Sequence, residues 1–180
     1  IYNQEALFAG PSPATGFHSV GGTGANLIKQ LHRVQSVDYS FNIDRLDINQ
    51  FGVLSRIDQI IINPPTVDLN FSYLLHSVDN EETLGLTVNQ GVSCISGFLS
   101  KAEDDRNFFV SIAPQGQDNA AYAGTRSVYG FGNGFISSYN AEGAVGGLPT
   151  ASVGISAFNF TAYNIQTGAS PAINPTNGVP

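Results

Sequence analysis

The alternation of apolar and polar positions changes character near residue 34. Before it, residues 1–28 contain AGPSPATG and GGTGAN and keep no sustained period. They read as a long loop, and an extended N-terminal arm is expected over residues 1–32. Beyond it, VQSVDYSFNID alternates strictly. Val37, Tyr39, Phe41 and Ile43 share one parity, while Ser36, Asp38, Ser40, Asn42 and Asp44 share the other. Successive side chains of a strand point to opposite faces, so this segment predicts a strand with one wet face. TVDLNFSYLL repeats the signature, with Val67, Leu69, Phe71, Tyr73 and Leu75 opposed to Thr66, Asp68, Asn70 and Ser72.

Between these segments, LSRIDQIIINPP ends in an apolar run followed by Pro64 and Pro65. Neither proline can donate to a ladder, and the pair predicts a chain reversal between Ile62 and Val67. RLDINQFG fits one helical turn or a bulged loop equally well. VDNEETLGL predicts a short helix, capped by Asp79 or Asn80, with Glu81 and Glu82 in the first turn where the helix dipole favours acids. NFFVSIA at 107–113 predicts a strand, and YGFGNGFISSYNA sets glycines against aromatics. In TASVGISAFNFTAYNI, Val153, Ile155 and Ala157 share one parity and Phe158, Phe160 and Ala162 the other. That switch at Ala157–Phe158 predicts a β-bulge. Gly143, Gly146 and Gly147 let FISSYNA reverse into TASVGIS, and Pro149 stiffens the exit.

Six or seven strands and at most two short helices, with no strand–helix alternation, define a mainly antiparallel β-sandwich or small barrel over residues 33–165, with one flanking helix. Residues 166–180, rich in Pro, Gly and Asn, read as a linker that leads toward a further domain.

Charge narrows the function. The chain of 180 residues carries a net charge of −7 and only seven lysines and arginines. A protein that grips nucleic acid clusters such residues. An acidic surface instead repels a polyanion that must pass without sticking. The lone Cys94, in GVSCISGF, excludes an intramolecular disulfide and is expected to be a small buried hydrophobe. No apolar run reaches the ~18–20 residues of a membrane-crossing helix.

Catalytic signatures are absent from the sequence: there is no HExxH, GxSxG, CxxC or phosphate-loop motif. His18, His32 and His76 have no carboxylate or second histidine at ligand spacing. Glu103, Asp104 and Asp105 lack the alternate spacing and turn glycine of a calcium loop. GAVGG has no basic residue beside it and runs into a strand, whereas a phosphate cradle opens a helix. No catalytic residue, cofactor or metal is expected. Tyr122, Tyr129 and Phe131, if carried on loops, offer stacking faces for sugars, so a carbohydrate-binding module is one alternative.

In order along the chain, VQSVDYSFNIDRLDINQFGVLSRIDQIIINPPTVDLNFSYLL resembles the N-terminal strands of tail tube (major tail) proteins of long-tailed bacteriophages. NFFVSIAPQGQD and GNGFISSYNAEGAVGGLPTASVGISAFNF are similar to their later half. The resemblance covers roughly residues 33–165. It implies a non-enzymatic virion protein that self-assembles into six-fold or pseudo-six-fold rings, stacked as a tail tube beside other tail proteins. Genomic DNA would pass through the lumen without tight binding, and no membrane would be involved. Another virion component of this fold, at the tail tip, neck or capsid surface, is the second alternative. Asp38, Asp44 and Asp68 are the candidate lumen or ring-surface acids. The turn at Gly143, Gly146, Gly147 and Pro149 is the candidate assembly hairpin.

Overall fold

The computed structural model describes residues 4–11, 28–49, 51–52, 57–96, 98, 105–117 and 124–165. Its strands are β1 (Gln4–Pro11), β2 (Lys29–Gln30), β3 (Val34–Asn42), β4 (Arg45–Ile48), β5 (Asp58–Ile61), β6 (Thr66–Leu74), β7 (Arg106–Ala113), β8 (Arg126–Glu142), β9 (Thr150–Ala157) and β10 (Asn159–Ile165). A short helix, α1 (Asp79–Leu84), follows β6. All strand pairs are antiparallel.

One long strand organises the fold. The first half of β8, to Gly134, pairs with β7 on one side and β10 on the other, and β1 and β2 extend that layer beyond β7. The second half, Phe135–Glu142, pairs with β9, followed by β6 and β3. Sheet I is therefore β2-β1-β7-β8-β10 and sheet II is β8-β9-β6-β3. The predicted parity switch lies at the crossing. Ala157 is buried at the end of β9, Phe158 is exposed and donates its N–H to the Gly132 carbonyl at 3.2 Å, and β10 then joins sheet I.

The core fills the space between the sheets. Leu7, Phe108, Val110 and Phe131 of sheet I meet Leu69, Phe71, Tyr73, Val153 and Ile155 of sheet II, and Phe71 and Phe108 lie 6.2 Å apart. Glycine in a strand costs roughly 0.5–1 kcal/mol relative to alanine. Burying a phenylalanine side chain returns about 1.5–3 kcal/mol. Phe131 is fully buried, so β8 forms despite Gly130, Gly132 and Gly134.

Two expectations change here. Gln4–Pro11 is no arm: it is β1, in full register with β7, and its Leu7 and Ala9 belong to the main core. From Ala6 to Gly10 its small and apolar residues, ALFAG, are buried on both faces, which removes the alternation that marks a half-wet strand. On its other face Ala6 and Phe8 pack with Ile28, Phe109 and Val128. Residues 28–32 of the expected arm are packed as well, with Ile28 and Leu31 buried and β2 paired to β1. Residues 1–3 and 12–27, and the expected linker, 166–180, lie outside the described residues.

The second change concerns Pro64 and Pro65. Asn42 pairs with Thr66 and Arg45 pairs with Ile61, so β3-β4 and β5-β6 are two stretches of one ribbon. RLDI is strand, and the reversal falls between β4 and β5, before the prolines. The prolines break the ladder because they have no N–H to give. Asp44 spans the break: its carbonyl accepts from Ile62 N–H, and its two carboxylate oxygens accept from Asn42 and Asn63 amides at 3.0 and 3.2 Å.

Candidate functional interface

Sheet II has two unlike faces. Its inner rows, such as Val37-Phe71-Val153, belong to the core. The outer rows are Ser36-Ser72-Ser152-Asn140, Asp38-Asn70-Gly154-Ser138 and Ser40-Asp68-Ser156-Phe135. Hydroxyls, amides and two acids make up these rows, with Phe135 at one corner and no cation; a further row toward the β8-β9 turn, Leu74-Thr150-Glu142, adds a third acid. Ser36 and Ser72 hydroxyls bond across strands at 2.7 Å. A shallow cleft of about 230 Å³ runs over Asp38, Asn70, Ser138, Asn140 and Ser152. Gly154 floors it, because a Cβ there would stand 2.6 Å from the Ser138 Oγ.

Asp38 and Asp68 are thus on one exposed face, in adjacent strands and neighbouring rows. Asp44 is not with them. It sits at the ribbon joint, where its side chain serves the break described above. Alternation alone gave all three the same parity and could not see that the strand ends at Asn42.

The lateral edges of sheet II are open among the described residues. Among the described residues, β3 pairs only with β6, and Phe135–Glu142 of β8 only with β9. An unpaired strand edge is a template for another strand.

The two ends of sheet II differ as well. At one end the β4-β5 ribbon projects, with Leu46, Ile48, Ile57, Ile60 and Ile61 exposed. At the other lies the expected hairpin turn between Glu142 and Thr150. Gly146 takes the left-handed conformation (φ 81°) and Gly147 N–H reaches the Ala144 carbonyl at 3.0 Å. Gly143 and Gly147 need no left-handed backbone. The Pro149 carbonyl accepts from Leu75 N–H at 2.9 Å, tying the turn to β6. Val145 and Leu148 stand out from this turn.

Helix α1 is joined to this second end. Its cap is Val78 without a side-chain bond, and Asp79 lies in the first turn rather than at the cap. Asn80, buried, clamps the backbone of His32 by accepting from its N–H and donating to its carbonyl, both at 2.9 Å. Glu81 Oε1 accepts the hydroxyls of Tyr73 (2.8 Å) and Tyr139 (3.0 Å). Burial, then these bonds and the neighbouring carboxylate, push the Tyr73 hydroxyl pKa far above its ordinary value; burial is also the main cause of the rise at Tyr139. Sequence reasoning placed Glu81 in a helix turn but could not supply its partners, which are 8 and 58 residues away.

Other candidates fare less well. Cys94 is exposed, because residues 88–95 form a surface loop that also leaves Val88, Val92 and Ile95 in water. Tyr129 and Phe131 are strand residues. Phe131 is fully buried, and both rings pack with Tyr39 and Phe160 at 5.3–6.1 Å, so the pair offers no open stacking platform. Tyr122, His18, Glu103 and Asp104 lie outside the described residues. Among the described residues no cluster of three metal-ligating side chains exists, and no helix is long and apolar enough to cross a membrane.

No family model matches the chain, and no curated protein does. Solved structures do share its fold. A chain of the sheath–tube complex of an extracellular contractile injection system (PVC, extended state) aligns over 88% of this chain and 88% of its own, at 7% identity and a TM-score of 0.51. A chain of the sheath/tube terminator of the same system aligns over 89% and 93%, at 9% identity and a TM-score of 0.51. The SPP1 tail tube aligns over 89% and 78%, at 8% identity and a TM-score of 0.49. At such identities the likeness is one of fold: the antiparallel β architecture with a flanking helix that the sequence resemblance implied is the one found.

Proposed function

We propose that this chain is the repeating subunit of a hollow tube in a virion tail, where it acts as structure rather than as an enzyme. The observation that carries the reading is the character of sheet II, which joins a polar, cation-free face to two open lateral edges. Edge β3 of one copy pairs with the Phe135–Glu142 edge of the next. That contact is heterologous, and such contacts generate a ring when the rotation closes. Closure also removes the exposed edges. The resemblance to tail tubes sets six as the expected number of subunits or pseudo-subunits, and the fold is shared with a chain of a sheath–tube complex.

In this arrangement the outer face of sheet II lines the lumen. Duplex DNA is held mainly through cations that replace its counterions. A wall of serine, asparagine and threonine with Asp38 and Asp68 supplies none and adds like charge, so a genome slides along it. Asp44 contributes to the ribbon joint at the tube rim instead of to the wall. The Gly143–Pro149 turn lies at the axial end of the subunit, where it faces the neighbouring ring.

Sedimentation of the purified full chain tests the reading: the account expects particles of ring mass and above at micromolar concentration. A monomer at every concentration, with both termini present, overturns it.

A further inference from the structure

One arginine and two histidines converge where β2 turns into β3. The chain has seven lysines and arginines and three histidines in all. Of these Arg33, His32 and His76 line one open pocket of about 330 Å³, together with Leu74, Asp79 and Asn80. Asp79 accepts the Ser77 hydroxyl at 2.7 Å.

The turn that presents Arg33 is built and strained. Arg33 has φ 59°, a left-handed conformation that suits glycine or asparagine and not arginine. It is held there from several sides. The buried Asn80 amide grips both backbone groups of His32, and the Arg33 carbonyl accepts from Leu74 N–H and the Gln35 amide, each at 3.1 Å. Strain maintained by the surroundings, at a residue with an exposed side chain, is a mark of function rather than of folding.

The opposite end of the same strand pair carries the complement. Nine residues of β3, about 30 Å at 3.3 Å per residue, separate the pocket from the β4-β5 ribbon. Cross-strand partners share a face, so Leu46 and Ile60 lie on the same side as Ile48 and Asp58. That ribbon face is three exposed apolar side chains with an acid at its far end. A two-stranded ribbon is marginal alone in water. The receiving end offers Val145 and Leu148 as exposed apolar groups, on the turn whose Pro149 carbonyl is bonded to Leu75, the residue after Leu74 of the pocket.

We infer that the His32-Arg33-His76 pocket is the socket for the β4-β5 ribbon of a second copy of this chain, with the Asp58 carboxylate seated against Arg33. The apolar face of the ribbon covers Val145 and Leu148. The inference rests on the tube reading, since donor and socket at opposite ends of one strand pair produce axial stacking of rings rather than closure within a ring. Lateral closure uses other surfaces, the edges of sheet II.

Charge exchange tests it in the full-length protein. Arg33→Glu and Asp58→Arg are each expected to reduce the number of rings per tube by about tenfold or more, the scale of losing one desolvated charge pair. Single rings persist in both variants, and the double variant recovers long tubes. Arg33→Gly fits the left-handed backbone and keeps the fold, yet shortens tubes as Arg33→Glu does. Tubes of unchanged length in the single variants, or no recovery in the double variant, overturn the inference and leave the tube reading standing. Wild-type protein that forms neither rings nor tubes overturns both.

Discussion

At the scale of single residues, Glu81 has the most to hold. One carboxylate oxygen takes two tyrosine hydroxyls, from β6 and from β8, and so ties α1 to sheet II on both sides of β9. Its other oxygen is buried without a hydrogen-bond partner, so nothing replaces a lost tyrosine. Tyr73→Phe is expected to cost roughly 1–3 kcal/mol, the range for a buried group losing its partner, read as a shift in the denaturation midpoint. The pH dependence has a definite sign. The folded pKa of Tyr73 is raised, by burial first and by its bonds second. The fold therefore favours the neutral phenol. This contribution is complete below the unfolded value of about 10 and is lost as pH rises above it. Denaturant melts across pH 8 to 12 should show stability falling above about pH 10, and Tyr73→Phe should flatten that fall. A wild-type curve that is flat to pH 12 would refute the clamp.

At the scale of elements, the crossing of β8 from one sheet to the other depends on Gly134. A Cβ there would lie 2.8 Å from Ile155 Cγ2, 3.1 Å from Phe108 Cε2 and 3.2 Å from the Arg106 carbonyl. The last of these is backbone and cannot step aside. Gly134→Ala is expected to destabilise by about 1–3 kcal/mol, as overpacked cores do, measured by chemical denaturation. An unchanged midpoint would mean that the sheets can part at the crossing.

The half-wet strands were the legible elements. β3, β6 and the end of β9 announce themselves by alternation, and the break before Phe158 shows as a change of parity. Three elements were hidden for physical reasons. β1 from Ala6 to Gly10 is buried on both faces, so it has no polar face to alternate with its apolar one. The β4-β5 ribbon exposes apolar residues that a monomer pattern assigns to a core. The two prolines looked like a reversal because a broken ladder and a turn use the same residue. Of the candidate site, Asp38 and Asp68 could be read from parity. Arg33, His32 and His76 could not, since their meeting depends on Asn80 and on the packing of α1.

At the scale of the molecule, the chain is two-sided about sheet II, and sidedness matters only in an assembly. Its inner face is a core, its outer face is polar and acidic, its lateral edges are open among the described residues, and its two ends differ in charge and shape. The wall chemistry makes a separate prediction. Asp38→Lys with Asp68→Lys places two cations per subunit on the outer face of sheet II, the face proposed to line the lumen. With several subunits per ring, salt-dependent retention of DNA should appear at about 50 mM salt, where the wild type is expected to show none. A double variant that retains no more DNA than wild type would remove these residues from the wall.

The central claim is that this chain assembles as a tube with the outer face of sheet II turned inward. Electron cryo-microscopy of the assembled full-length protein tests it most directly. The expected result is a hollow tube whose inner wall is a continuous β-layer, with Asp38 and Asp68 at the smallest radius and β3 paired to Phe135–Glu142 of the neighbouring subunit. A tube with sheet II at its outer surface, or a protein that remains monomeric on the grid and in solution, would contradict it.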